Sequence, residues 1–137
     1  MTRHVDTKNV DKVMYVNYLQ KAGENRLMSE KALAERVFNS AAVSAVHCAI
    51  SAVDAFCVAN MGKRCSSAGH EDVSVLIKAT SYPDEEKTFV AGKFKSVIRI
   101  KNMAEYEERL VKEKEAEKAV REAGLLLDAV KRALGEG

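Results

Sequence analysis

The sequence predicts an all-α fold, an up-and-down bundle of about five helices built by residues 1–137 as a single domain. Three observations predict it. The stretch Asn39–Lys63 carries Ala41, Ala42, Ala45, Ala49, Ala52, Ala55 and Ala59, a small residue on almost every turn, and Ala is the strongest helix former. Apolar residues elsewhere recur at helical period, most cleanly at Ala116, Ala119, Val120, Ala123, Leu127, Val130 and Leu134. No segment alternates with period two between hairpin turns, so strands are not expected.

Bulk properties bound the rest. At 137 residues the chain is long enough for a real core. With 22 basic and 20 acidic residues the formal net charge is +2, which announces neither a nucleic acid nor an acidic partner. The opening MTRHVDTKN lacks the apolar core of a signal peptide, and three Cys in a chain of this size point to a reducing, cytoplasmic setting. Cys48 and Cys57 are nine residues apart, about 180° round one helix at ~100° per residue, so they face opposite ways.

The elements follow in order. The first helix is expected from Asp6 or Asn9 to about Val37, with Tyr15, Val16, Leu19, Ala22, Gly23, Leu27, Leu33, Ala34 and Val37 on one broad face. Arg26 and Glu30 lie within that face at ion-pair spacing. Asn39 and Ser40 suit an N-cap for the central helix. That helix is apolar nearly all the way round, as a buried helix is. A membrane span would be long enough, but Asp54, His47, Ser44 and Ser51 interrupt it. A mid-span Asp costs about 2.5–3.5 kcal/mol. No membrane is therefore expected.

Gly62 is the natural breaker at its end, followed by Lys63 and Arg64 at the negative end of the dipole. Ser66 or Ser67 suits a cap for a third helix with His70, Glu71 and Asp72 in its first turn and Val73, Leu76, Ile77 and Thr80 as its apolar face. Pro83 forces a break. Asp84 then caps a fourth helix with the stripe Val90, Phe94, Val97 and Ile98, and a turn is expected at Lys101-Asn102. The last helix begins between Met103 and Lys112, and the charged run Glu105–Glu122 reads as its solvated face.

Several chemistries are absent as motifs: no phosphate-binding glycine loop, no C-x-x-C pair and no H-E-x-x-H. His47, Cys48, Cys57, Cys65 and His70 match no common zinc spacing, so no metal and no cofactor are expected. One pair stands out. Arg64 at one helix end and His70 at the next helix start, with Cys65-Ser66-Ser67-Ala68-Gly69 reversing the chain between them, can face one concavity. Arg offers phosphate a planar fork of donors, and a neutral His is a general base. The plainer account makes Arg64 a C-terminal cation and His70 an exposed first-turn residue. His47 reads as a packed core or interface histidine, and Asp54 as a residue needing a partner or a subunit contact.

From about Tyr18 to Leu134 the chain resembles the HEPN-domain family of small helical bundles. The resemblance rests on Y-L-Q-K-A at Tyr18–Ala22, N-S-A-A-V-S-A-V-H-C-A at Asn39–Ala49, Arg64-x5-His70, and E-Y-E followed by E-A-E-K-A-V-R-E-A. Catalytic members are metal-independent endoribonucleases, often toxins, that act as dimers through an R-x4–6-H motif. The resemblance thus implies Arg64 and His70 as catalytic residues, with Lys63, Ser66 and Ser67 beside them for phosphate binding. His70 would take the proton of a ribose 2′-hydroxyl, Arg64 would hold the phosphoryl oxygens, and a homodimer would supply a second His70. Cys65 departs from the polar residue that usually follows the arginine. A non-catalytic nucleotide- or RNA-binding module, or a partner of a minimal nucleotidyltransferase in a toxin–antitoxin pair, therefore stays open beside the ribonuclease.

Overall fold

The alanine-rich stretch forms one helix, and the others are laid against it. The computed structural model describes residues 5–67 and 71–136, with backbone alone at positions 105 and 106. The α-helices among them are α1 (Tyr15–Ala34), α2 (Phe38–Met61), α3 (Glu71–Ala79), α4 (Asp84–Tyr106) and α5 (Glu113–Ala133). The all-α bundle is therefore as the periodicity predicts.

α2 packs against α1, α4 and α5 together. Ala41, Ala42, Ala45, Ala49, Ala52 and Ala55 are fully buried, and their lack of bulk lets three backbones approach one helix. By length and composition α2 could cross a membrane, but 67% of its most apolar window is buried within the bundle. Onto it α5 lays Ala116, Ala119, Val120, Ala123, Leu127 and Val130, the expected stripe. α4 adds Val90, Phe94, Val97 and Ile98.

Several boundaries differ from the sequence reading. Among the described residues, the chain before α1 is not α-helical. Thr7–Asn9 (β1) pairs antiparallel with Lys63–Cys65 (β2), in the register Thr7↔Cys65, Lys8↔Arg64 and Asn9↔Lys63. These strands are too short to show alternation, and their partner lies more than fifty residues away, so local pattern could not reveal them. A single 3-10 turn, Lys12–Met14, then leads into α1, with the Asp11 side chain accepting from Val13 N.

Val16 and Leu27 of the expected α1 face are half exposed, while Ser29 is buried. Arg26 keeps Glu30 at 3.9 Å but reaches Asp128 of α5 at 2.8 Å. α1 ends where Arg36 turns left-handed at φ 63°. Asn39 does not cap α2, which already starts at Phe38. Its Oδ1 instead accepts from Val111 N at 2.9 Å, tying the lead-in of α5 to the start of α2.

Pro83 precedes α4, and Asp84, Glu85 and Glu86 fill its first turn at the positive end of the dipole. The expected turn at Lys101-Asn102 is not there; α4 runs on to Tyr106. Neither residue is Gly or Pro, and Met103 and Ala104 propagate a helix well. α5 begins at Glu113, where the Glu115 carboxylate accepts from Lys112 N at 2.8 Å. Arg109 grips Glu115 at 2.7 Å and holds that carboxyl down to about 2.

Candidate functional site

The site is made by a glycine. Gly62 sits left-handed at φ 66° and its N–H returns to Val58 O at 2.9 Å, which ends α2. The chain then runs out as β2, fixed to the N-terminal segment by Val10 N–H on Gly62 O at 2.9 Å and Ser66 N–H on Asp6 O at 3.0 Å. Arg64 is thus a strand residue rather than the last residue of the central helix. The difference matters because the two-stranded ribbon, rather than a fraying helix end, holds it in place.

Beside β2 lies a small cavity of about 100 Å³ where α2, β2, α3 and α4 meet. Its walls are Ile50, Val53 and Asp54 from α2, Arg64 and Cys65 from β2, Ser67, Val73 from α3 and Phe94 from α4. Arg64 is partly buried, and its polar contact among the described residues is Nη1 to Cys65 O at 3.4 Å, a long bond. No carboxylate of the described residues lies within ion-pair distance of it. Most of its five donors are therefore free to meet a ligand.

Asp54 faces the same cavity without a hydrogen bond among the described residues. Burial pushes its carboxyl up to about 6, while Arg64 and then Lys21 of α1 pull it partway back. The wall behind Arg64 is consequently an acid that changes charge near neutrality. The sequence marks Asp54 as needing a partner, but not that its neighbours are Arg64 and Lys21. Lys21 and Phe94 are invisible to motif reasoning, because only packing brings α1 and α4 to this corner.

The other expected site residues divide. Ser67 lines the cavity, and its hydroxyl accepts from Asp6 N at 3.2 Å and donates to Asp6 O at 3.4 Å. It therefore anchors the N-terminal segment. Ser66 is exposed and gives its backbone N–H to the same residue. Lys63 is exposed on β2. His70 lies outside the described residues, which resume within α3 at Glu71.

His47 is exposed, not packed in the core. With Val43, Ile50 and Asp54 it forms the open face of α2, which leads straight into the cavity. The cysteines do face opposite sides. Cys48 lies against Ala123 of α5, and burial raises its thiol to about 12. Cys57 is likewise raised by burial, so both stay protonated and unreactive.

The chain matches no family model and no curated protein.

Proposed function

We propose that this chain is a HEPN-like protein that binds the phosphate of single-stranded RNA at Arg64. One observation carries the reading: a half-buried guanidinium, fixed on a strand, opens onto a cavity with its donors unmatched by any carboxylate of the described residues. A guanidinium whose donors no carboxylate of the described residues engages suits a bidentate oxyanion, whose charge-assisted bonds contribute about 1.5–3 kcal/mol each. The cavity, about 100 Å³, has room for a phosphate.

The spacing Arg64-x5-His70 favours the cleaving form of this reading. In that form His70 takes the proton of the 2′-hydroxyl, and the 2′-oxygen attacks the adjacent phosphorus. Arg64 meets the charge gathering on the phosphoryl oxygens. The bond to the 5′-oxygen breaks as that oxygen receives a proton from His70 of a second copy, leaving a 2′,3′-cyclic phosphate and a 5′-hydroxyl. The open face of α2 supports such a homodimer, since a second copy seated there would close over the cavity mouth.

The test measures RNA binding and RNA cleavage in excess EDTA for the parent, Arg64→Ala and His70→Ala. Binding lost in Arg64→Ala, and cleavage lost in both variants with cyclic-phosphate ends in the parent, are the expected results. Binding without cleavage in the parent would leave the module and remove the enzyme. RNA binding unchanged in a folded Arg64→Ala would end the reading altogether.

A further inference from the structure

The outward face of α4 is ordered by charge. Glu85, Gly92 and Arg99 follow one another at intervals of seven residues, about two turns at ~3.6 residues per turn, so they share one line along the helix. Phe89, Ser96 and Met103 fall beside that line at the intervening turns. Glu85, Phe89, Gly92 and Arg99 are exposed. One side of the Phe89 ring carries the Lys93 ammonium at 5.3 Å, and 41% of the residue still meets solvent. At Gly92 an added Cβ would touch nothing within 4 Å, so another backbone can come close there.

The two halves of this face differ in sign. Before Gly92, a hollow takes in Glu85, Glu86 and Phe89 with Ala129 and Arg132 of α5, Arg132 being the cation of that set. Past Gly92, a second hollow takes in Arg99 with Lys114 and Lys118 of α5. The carboxylate beside them, Glu115, is already held by Arg109. Glu85, Glu86, Arg99, Lys114 and Lys118 make no side-chain hydrogen bond or ion pair among the described residues. The helix dipole accounts for acids in the first turn of α4. It does not account for Arg99, seven residues before the end at Tyr106, because the dipole acts within the last turn.

We propose that this face pairs with the same face of a second copy, the two α4 helices running antiparallel about a two-fold axis between their Gly92 residues. Glu85 and Arg99 are equally far from Gly92, so the axis sets Glu85 of each copy against Arg99 of the other. The acidic hollow of each then meets the cationic hollow of its mate, and every contact is made twice, as in any isologous interface. Phe89 of each copy covers the open backbone around the other's Gly92. A parallel pairing would set like charge on like, so the order of signs selects the antiparallel one. This contact is separate from the α2 face and owes nothing to the phosphate reading of Arg64.

The experiment is sedimentation equilibrium over a concentration series at low ionic strength, where exposed ion pairs are screened least. It compares the chain carrying Val43→Glu, which closes the α2 face to a second copy, with the same chain carrying in addition Glu85→Arg or Arg99→Glu. The Val43→Glu chain is expected to self-associate. Each charge reversal puts two like-charged pairs across the axis and should weaken that association at least about tenfold, with the far-UV circular dichroism unchanged. In an equimolar mixture of the two reversed chains, reversed positions meet each other and native positions meet each other. Association should therefore return, with one chain of each kind, a rescue that a loss of folding would not show. A Val43→Glu chain that stays monomeric, a reversal that leaves association as it was, or a mixture that fails to recover it would each overturn the proposal.

Discussion

Replacing Asp54 with Asn tests the electrostatics of the cavity at a single atom pair. The carboxyl stands at about 6 in the folded chain because burial penalises its charged form more than Arg64 and Lys21 favour it. Against an ordinary value of 3.8 this is a gap of about two units, and each unit corresponds to ~1.36 kcal/mol. The ceiling is therefore about 3 kcal/mol, and ~1–2 kcal/mol is expected because the cavity is open to water.

The sign follows from linkage. A carboxyl raised on folding binds its proton more tightly in the native state, so native stability rises as pH falls through about 6 and levels off below about 4. Above pH 7 the charged carboxylate costs its full amount. Asn has the shape of the protonated acid and no charge at any pH, so Asp54→Asn should be more stable than the parent at about pH 8 and equal to it near pH 4. Urea unfolding followed by far-UV circular dichroism at four or five pH values measures the difference directly, and contributions from other carboxylates cancel between the two proteins. Removing the negative charge beside Arg64 should also tighten RNA binding at pH 8. A variant less stable than the parent at pH 8, or a difference that does not shrink on acidification, would mean that attraction to Arg64 outweighs burial and that the argument is wrong.

Three further substitutions test how the corner is held. Lys93→Met leaves the Glu122 carboxylate buried without its 3.0 Å partner and should cost about 2–4 kcal/mol; a loss below ~1 kcal/mol in urea titration would show that Glu122 finds water instead. Tyr82→Phe removes the 2.8 Å bond from the phenol to Phe56 O while keeping the ring stacked on Phe56 at 4.0 Å, so thermal unfolding should report a loss of about 1 kcal/mol. Gly62→Ala places a left-handed alanine whose Cβ meets Val10 O at 3.2 Å. About 1–2 kcal/mol should be lost, with faster amide exchange at Val10 and Ser66; unaltered exchange would mean that the β1–β2 ribbon does not depend on that turn.

The helical bundle was legible because its signal is local and repeated. Ala at every turn of α2 and the stripe on α5 each state a helix and its buried face within a few residues, and the break at Pro83 and the stop at Gly62 are single-residue effects on φ. Apart from the turn expected at Lys101-Asn102, what failed was what needed a distant partner. β1 and β2 are three residues each and exist only because Asp6–Val10 meets Gly62–Ser66 across the fold. Asn39 looks like a cap until Val111 arrives to claim its oxygen.

The candidate site divides in the same way. From its sequence alone the chain determines an all-α bundle, the place where the central helix ends, and an arginine just beyond that end, because these follow from backbone preferences and periodicity. Tertiary structure decided that Arg64 is held on a strand, that burial, Arg64 and Lys21 together set the charge of Asp54, and that Phe94 lies between its cavity and a groove on α4. Burial, cavities and the fields inside them depend on which surfaces meet, and those meetings link residues that the sequence keeps far apart.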